Sequence, residues 1–248
     1  MNKTVSVLGV PISKVTMEEA RKKVAEFVKA DGFHTVITPN PEIVMLAKED
    51  EAFHKIIEEA DLVVPDGIGV VIATKLKKGE KLEERVAGYD LVQNTMKDAV
   101  KEGYKYYFFG SKPGTSKAAA EEMRKMYPGI EIVGTRNGYF TKEDEPEIIA
   151  DINRSGANIL LVALGAPKQE KWMVEHSKEM PNVKVAIGVG GSLDVMSGNV
   201  KRAPIAFQKM GLEWFYRLLK QPSRFVRMLV LPKFLIKVIF YKENTKRQ

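Results

Sequence analysis

The sequence predicts an α/β fold: a mainly parallel sheet with helices on both faces, followed by a helical C-terminal appendage. Three observations lead there. Short β-branched or aromatic runs alternate with segments of helical period. The runs are apolar on both sides, as strands of a parallel sheet must be when crossover helices cover them. The charge is also divided along the chain. Residues 1–198 carry 27 Lys+Arg against 30 Asp+Glu, net −3, whereas residues 199–248 carry 12 against 2, net +10. At 248 residues and 44% hydrophobic, the chain suffices for one large α/β domain, placed at 1–198, and an appendage at 199–248.

Taken in order, the strand candidates are SVLGVPI from Ser6, HTVIT from His34, DLVVP from Asp61, KYYFFG from Lys105, IEIVG from Ile130, NILLVALG from Asn158 and VKVAIGVGG from Val183. The helices between them have recognisable starts. Thr16 and Glu19 form a capping box before MEEARKKVAEFVKA, Asn40 is placed to cap PEIVMLA, and Gly114-Thr115-Ser116 precedes KAAAEEMRKMY. The βαβ rhythm implies right-handed crossovers and a Rossmann-like sheet. Beyond Gly198-Asn199 come a helix candidate, PIAFQKMGLEWFYRLLK, then Pro222 and the apolar and basic segment SRFVRMLVLPKFLIKVIFYK.

Composition excludes several classes of chemistry. The chain has no cysteine and three histidines, His34, His54 and His176, far apart in sequence, so neither a disulfide framework nor a zinc spacing is present. Its N-terminus lacks the continuous apolar region of a signal peptide, which places the expected location in the cytoplasm. Arg224, Arg227, Lys233 and Lys237 interrupt the last segment, where a membrane span needs about 20 mostly apolar residues. With Pro232 expected to break the helix there, the segment reads as one that lies on an anionic bilayer surface. The alternative is a terminal helix packed on its own domain or on a neighbouring subunit.

Ligands of parallel sheets bind where strands end, and these ends are rich in polar groups. Asp66, after an apolar strand, sets a carboxylate in a partly desolvated cleft, where burial raises its pKa toward that of a general base; the alternative is a turn aspartate bonded to the backbone of Gly67-Ile68-Gly69 or capping the next helix. Thr38 and Asn40 offer a hydroxyl and an amide to a sugar, although Asn40 also suits the cap. Gly110-Ser111 and Gly190-Gly191-Ser192 allow backbone amides to approach a phosphate, but neither is a dinucleotide or P-loop fingerprint. A diphosphate leaving group needs its charge met. No Asp-x-Asp pair ends a strand, so no metal cofactor is expected, and Arg217, Arg224 and Arg227 are the candidates.

Seven motifs, TPNPE at 38–42, PDGIGV at 65–70, ERVAGYDL at 84–91, FFGSKPG at 108–114, LGAPKQEKW at 164–172, GVGGSLDVMSGNVKRAP at 188–204 and GLEWFYRLL at 211–219, together resemble the WecG/TagA/CpsF glycosyltransferases. Within that family the chain most resembles the TagA branch, which makes the linkage unit of wall teichoic acid. The resemblance implies inverting β-1,4 transfer of N-acetylmannosamine from its UDP donor to undecaprenyl-diphosphate-linked N-acetylglucosamine. It implies that Asp66 is the base for the acceptor 4-hydroxyl, with Thr38 and Asn40 beside the reacting sugar. It further implies that Gly110, Ser111, Tyr139, Gly165, Lys168, Gln169, Gly191, Ser192 and Asp194 surround the donor, and that Arg85 faces the pocket. The appendage would close the site at the inner face of the plasma membrane and bring arginines to the diphosphate. One departure is Gln221 in Leu219-Lys220-Gln221-Pro222, where the family pattern has Glu.

Two other readings compete. A pI of about 9.3 with interleaved aromatics suggests nucleic-acid binding, but the basic excess is confined to a strongly apolar segment, which suits lipid, so no nucleic-acid partner is expected. A transferase using another UDP-sugar differs at few residues; a dehydrogenase lacks the glycine fingerprint. The apolar tail predicts a monomer on the membrane and self-association off it.

Overall fold

The computed structural model describes residues 3–220 and 225–241, with no side-chain description at 226 and 227. It begins with an antiparallel hairpin of β1 (Thr4–Val7) and β2 (Val10–Ser13). SVLGVPI is therefore two strands folded back on themselves. Leu8 and Gly9 both take positive φ, 56° and 95°, the conformation of a two-residue turn whose twist matches that of the flanking strands. The apolar run hides this turn because both arms supply buried side chains, Val5 and Val7 from β1 and Val10 and Ile12 from β2.

Helix α1 (Met17–Lys29) starts at the predicted box: Thr16 and Glu19 cap each other reciprocally. β3 (His34–Ile37) leads to α2 (Pro41–Glu49), which Asn40 caps by accepting from the Ile43 N–H at 3.0 Å. Then follow α3 (Glu51–Glu58), β4 (Leu62–Val63), α4 (Ile68–Lys75), α5 (Gly88–Glu102), β5 (Lys105–Gly110), α6 (Thr115–Met126), β6 (Glu131–Arg136), α7 (Glu145–Ser155), β7 (Ile159–Ala163), α8 (Lys168–Glu175), β8 (Val185–Gly188) and α9 (Ser192–Met196). Beyond residue 198 the chain continues as α10 (Ile205–Lys209), α11 (Glu213–Lys220), α12 (Phe225–Met228) and α13 (Val230–Phe240).

The six strands β3 to β8 form one parallel sheet in the order β4-β3-β8-β7-β5-β6. Alternate side chains serve opposite faces. Val36, Leu62, Tyr106, Phe108, Leu161 and Ile187 pack with α1, α5, α6 and α9. Ile37 and Val63 pack with α2, α3 and α4, and Tyr107, Phe109, Leu160 and Ala186 with α7 and α8. Tyr106 to Phe109 are all fully buried, and each contributes on the order of 1.5–3 kcal/mol by leaving water. The chain leaves β3 over one face toward the β4 edge and leaves β5 over the other face toward the β6 edge. Those diverging exits open a crevice at the carboxyl ends of β8 and β7, the place where such sheets bind ligands.

The C-terminal segment is more broken than its periodicity suggests. Gly211, at φ 71°, separates α10 from α11, and a Cβ there would lie 2.8 Å from Ile68 Cγ1. Pro232 does not break the last helix. It falls in the first turn of α13, where its missing N–H has no helical partner to lose. Phe234 and Val238 of α13 are buried against α2 and α4, while Ile236, Ile239 and Phe240 stay 57–78% exposed. Among the described residues no helix is long and apolar enough to cross a membrane.

Candidate active site

A cleft of about 520 Å³ lies at the carboxyl ends of β3, β4, β5, β7 and β8, under Glu213, Trp214 and Arg217 of α11. Thr38, Asn40, Asp66, Arg85, Ser111, Tyr139, Gly165, Gln169, Gly191, Ser192, Asp194 and Arg217 all line it. Gly110 and Lys168 lie beside the cleft rather than in its wall. Lys168 is exposed and its Nζ lies 4.1 Å from the centre of the Phe140 ring. Arg224 and Gln221 lie outside the described residues, as does the Arg227 side chain.

Asp66 is half-buried on the cleft floor, carried there by β4 and by Val64, whose N–H continues the pairing to Ile37 O at 2.9 Å. Its neighbours have to be glycine: a Cβ at Gly67 would lie 2.7 Å from Pro41 Cδ, and one at Gly69 2.6 Å from Pro41 Cγ. Its carboxylate does not close the local turn. Oδ1 accepts instead from the Gly88 N–H at 2.8 Å, the first residue of α5, and its main-chain oxygen accepts from Arg85 Nε at 2.5 Å. Burial pushes the carboxyl above the ordinary aspartate value, against the opposing pull of Arg85, the Gly88 N–H and Arg217; Glu213 adds to the rise. The net direction is upward, which makes Asp66 a stronger base than an exposed aspartate.

The other predicted sugar-side groups are partly engaged. Thr38 Oγ1 donates to Gly188 O at 2.9 Å, and Asn40 Oδ1 serves the α2 cap, so Thr38 offers the cleft its methyl and oxygen rather than a free hydroxyl hydrogen. Gln169 is 2% exposed and saturated in one direction: Nε2 donates to Glu170 Oε1 at 2.8 Å, and Oε1 accepts from the Gly190 N–H at 3.1 Å. It therefore shapes the loop that leads to Gly191 and Ser192. Glu170 is fully buried and desolvation raises its pKa, which favours the neutral acid. Sequence reasoning passed over it because KQEKW reads as a polar helix start.

On the opposite wall Ser111 takes φ 59°, held by its N–H to Ala163 O and by the Gly138 N–H to its carbonyl, both at 2.8 Å. Gly110 is obligatory at φ 126°, since a Cβ would lie 2.4 Å from Ala163 O. Ser111 Oγ reaches Asp194 Oδ2 at 3.4 Å, which joins the ends of β5 and α9. Tyr139 projects from this wall, 68% exposed.

Sequence reasoning also missed an ion-pair chain under α11. Arg85 meets Glu213 at 2.5 Å, Glu213 meets Arg202 at 3.4 Å, and Arg202 holds Asp90 with two bonds of 2.6 and 2.7 Å. The members stood within the motifs ERVAGYDL, NVKRAP and GLEWFYRLL, but nothing local marks them as partners. Among the described residues no three His, Asp or Glu side chains gather as a metal-ligand set; the acidic cluster at 49–51 instead supplies Asp50 as the α3 cap and the partner of Lys171 at 2.7 Å.

The profile described as "Glycosyl transferase WecG/TagA/CpsF family" matches residues 5–248. Two curated relatives, both called N-acetylglucosaminyldiphosphoundecaprenol N-acetyl-beta-D-mannosaminyltransferase, are similar along most of the chain. The protein of Bacillus spizizenii strain W23 is 40% identical over 212 residues, 86% of this chain and 81% of its own. That of Bacillus subtilis strain 168 is 37% identical over 211 residues, 85% of this chain and 81% of its own. With a strand-end cleft built from the family's motifs and a profile match across the fold, this chain belongs to the WecG/TagA/CpsF family of glycosyltransferases.

Proposed function

We propose that this chain is an inverting hexosyltransferase that moves N-acetylmannosamine from UDP-N-acetylmannosamine to the 4-hydroxyl of undecaprenyl-diphosphate-linked N-acetylglucosamine, in synthesis of the wall teichoic acid linkage unit. The observation that carries the reading is Asp66: a desolvated carboxylate on the floor of a cleft that Arg85 and Arg217 also line. Asp66 takes the proton of the acceptor 4-hydroxyl as that oxygen bonds to the donor C1. The C1–oxygen bond to UDP breaks on the opposite face, and its electron pair leaves with the diphosphate. Arg217 meets that charge, with Arg224 and Arg227 assigned beside it on the family resemblance; a guanidinium fork suits phosphate oxygens. Thr38 and Asn40 flank the reacting sugar. Ser111, Tyr139, Gly165, Gln169, Gly191, Ser192 and Asp194 enclose the donor, with Gly110 and Lys168 shaping the loops behind them.

No metal is assigned a role. The enzyme works peripherally at the inner face of the plasma membrane, where the exposed Ile236, Ile239 and Phe240, with the exposed Lys233, contact anionic lipid; Lys237 pairs with Glu49 at 3.5 Å. Off the membrane the same surface supports self-association. Salt-sensitive binding to duplex DNA but not to anionic liposomes would overturn the lipid assignment.

The decisive assay is acceptor-dependent UDP release from UDP-N-acetylmannosamine with a short-chain lipid-diphosphate acceptor, with EDTA present, for the wild type and Asp66→Asn. Release that survives chelation and falls about a hundredfold or more in the variant is expected. Loss of wild-type release on chelation would remove the metal-free assignment, and no release with this donor under any condition would remove the donor.

A further inference from the structure

We infer that Glu213 is the positioning residue through which the C-terminal segment aims the catalytic carboxylate, so that docking of α11 over the cleft and readiness of Asp66 are one event. This rests on Asp66 being the base and goes beyond it by giving the appendage a specific handle on that base.

Glu213 opens α11 and is 7% exposed. Its carboxylate lies between two guanidinium groups, with Oε2 2.5 Å from Arg85 Nη1 and Oε1 3.4 Å from Arg202 Nε. A carboxylate this buried is tolerated because it is paired on both sides. Two routes run from it to Asp66. Arg85, fixed by Glu213, donates its Nε–H to the Asp66 main-chain oxygen at 2.5 Å. Arg202, fixed by the same carboxylate, holds Asp90 at 2.6 and 2.7 Å and lies 4.6 Å from the Tyr89 ring centre. Tyr89 and Asp90 belong to the first turn of α5, whose Gly88 N–H holds Asp66 Oδ1 at 2.8 Å. The first route sets the backbone of the base and the second sets its carboxylate.

The charges point the same way. Arg85 and Arg217 face Asp66 and pull its pKa down, while Glu213 pushes it up. Glu213 therefore lets Arg85 position Asp66 while offsetting part of the charge that would weaken it as a base. Arg217, also on α11, arrives over the cleft with the same docking step.

The test uses the full chain and two variants, Glu213→Gln, which keeps the shape and removes the charge, and Asp90→Asn, which cuts the second route. Transfer kinetics are measured across pH, and docking is read without substrate by trypsin cleavage after Lys209, Arg217 and Lys220 and by Trp214 fluorescence. Glu213→Gln is expected to lower kcat about tenfold or more, the scale of one lost charge-assisted hydrogen bond, with the donor KM little changed. Its acid limb moves to lower pH, because Asp66 loses a negative neighbour, and tryptic cleavage within residues 201–220 accelerates. Asp90→Asn lowers kcat with a smaller shift of the limb. An unchanged kcat and acid limb in Glu213→Gln would overturn the inference, as would a variant that unfolds while Asp90→Asn keeps wild-type kinetics. A wild type that transfers nothing from this donor would remove the functional reading instead, and the trypsin arm would still decide docking: unchanged protection in Glu213→Gln counts against it.

Discussion

Replacing Gly88 with alanine tests whether the contact between α5 and the end of β3 sets the catalytic geometry. A Cβ at Gly88 would lie 2.8 Å from Thr38 Cγ2 and 3.1 Å from Thr38 Cβ, whereas carbon atoms rest at about 3.5–4.0 Å. A gap of roughly 0.7–1.2 Å must therefore open. Thr38 cannot turn away freely, because its hydroxyl donates to Gly188 O at 2.9 Å in a buried site, and abandoning that bond costs about 1–3 kcal/mol. The start of α5 retreats instead and stretches the 2.8 Å bond from the Gly88 N–H to Asp66 Oδ1 toward about 3.5 Å, where it is no longer a hydrogen bond. Overpacking of this kind costs about 1–3 kcal/mol, or a fall in Tm of roughly 2–4 °C for each kcal/mol in a chain of this size. On the proposal that Asp66 is the base, displacing it by a similar distance lowers kcat by about ten- to a hundredfold. The acid limb of the pH profile should also rise, since Asp66 loses a bond that favours its ionised form. Calorimetry and transfer kinetics at several pH values check all three effects. Wild-type kcat with an unshifted acid limb would refute the claim that the Gly88 N–H aims Asp66, whatever happens to Tm.

Asp66→Asn should stabilise the protein at neutral pH. The folded-state pKa is raised, so the ionised carboxylate is disfavoured in the fold, and the stability present with the protonated group is lost as pH rises through the folded value. The gain should shrink as pH falls below the ordinary carboxylate range, and urea denaturation at several pH values measures it; a gain that grows on acidification contradicts the sign. Gly191 has φ −77° and nothing within 4 Å of a built Cβ, so Gly191→Ala should leave Tm unchanged yet raise the donor KM if phosphates approach its backbone; an unchanged KM removes that assignment. Glu170→Gln preserves an acceptor for Gln169 Nε2 and should keep activity while becoming more stable at higher pH. Glu170→Leu should release Gln169 from Gly190 and weaken donor binding. Equal donor KM values in both variants would show that the buried acid does not position Gln169.

Much of the fold was legible because its signals are local. The Thr16–Glu19 box and the Asn40 cap depend on residues three apart, and the runs at 105–110 and 158–165 show their burial in their own composition. Asp66 was legible for the same reason, as a carboxylate following an apolar strand and preceding glycine. The hairpin at Leu8-Gly9 was not, because leucine is no mark of positive φ and both arms read as one apolar run. Nor was the partner of Asp66, which lies across a crossover at Gly88, or the saturation of Gln169 by Glu170 and Gly190.

The sequence by itself determined the six strands of the parallel sheet, the starts of α1, α2 and α6, the charge division at about residue 198 and the strand ends that carry polar groups. Tertiary structure alone decided the order β4-β3-β8-β7-β5-β6, the seating of Phe234 and Val238 in the core, and the meeting of Glu213 with Arg85 and Arg202. Caps and periodicity act between residues three or four apart, which a linear chain displays. Strand order and the choice among several arginines follow from which apolar faces dock together, and apolar faces look alike until they are packed.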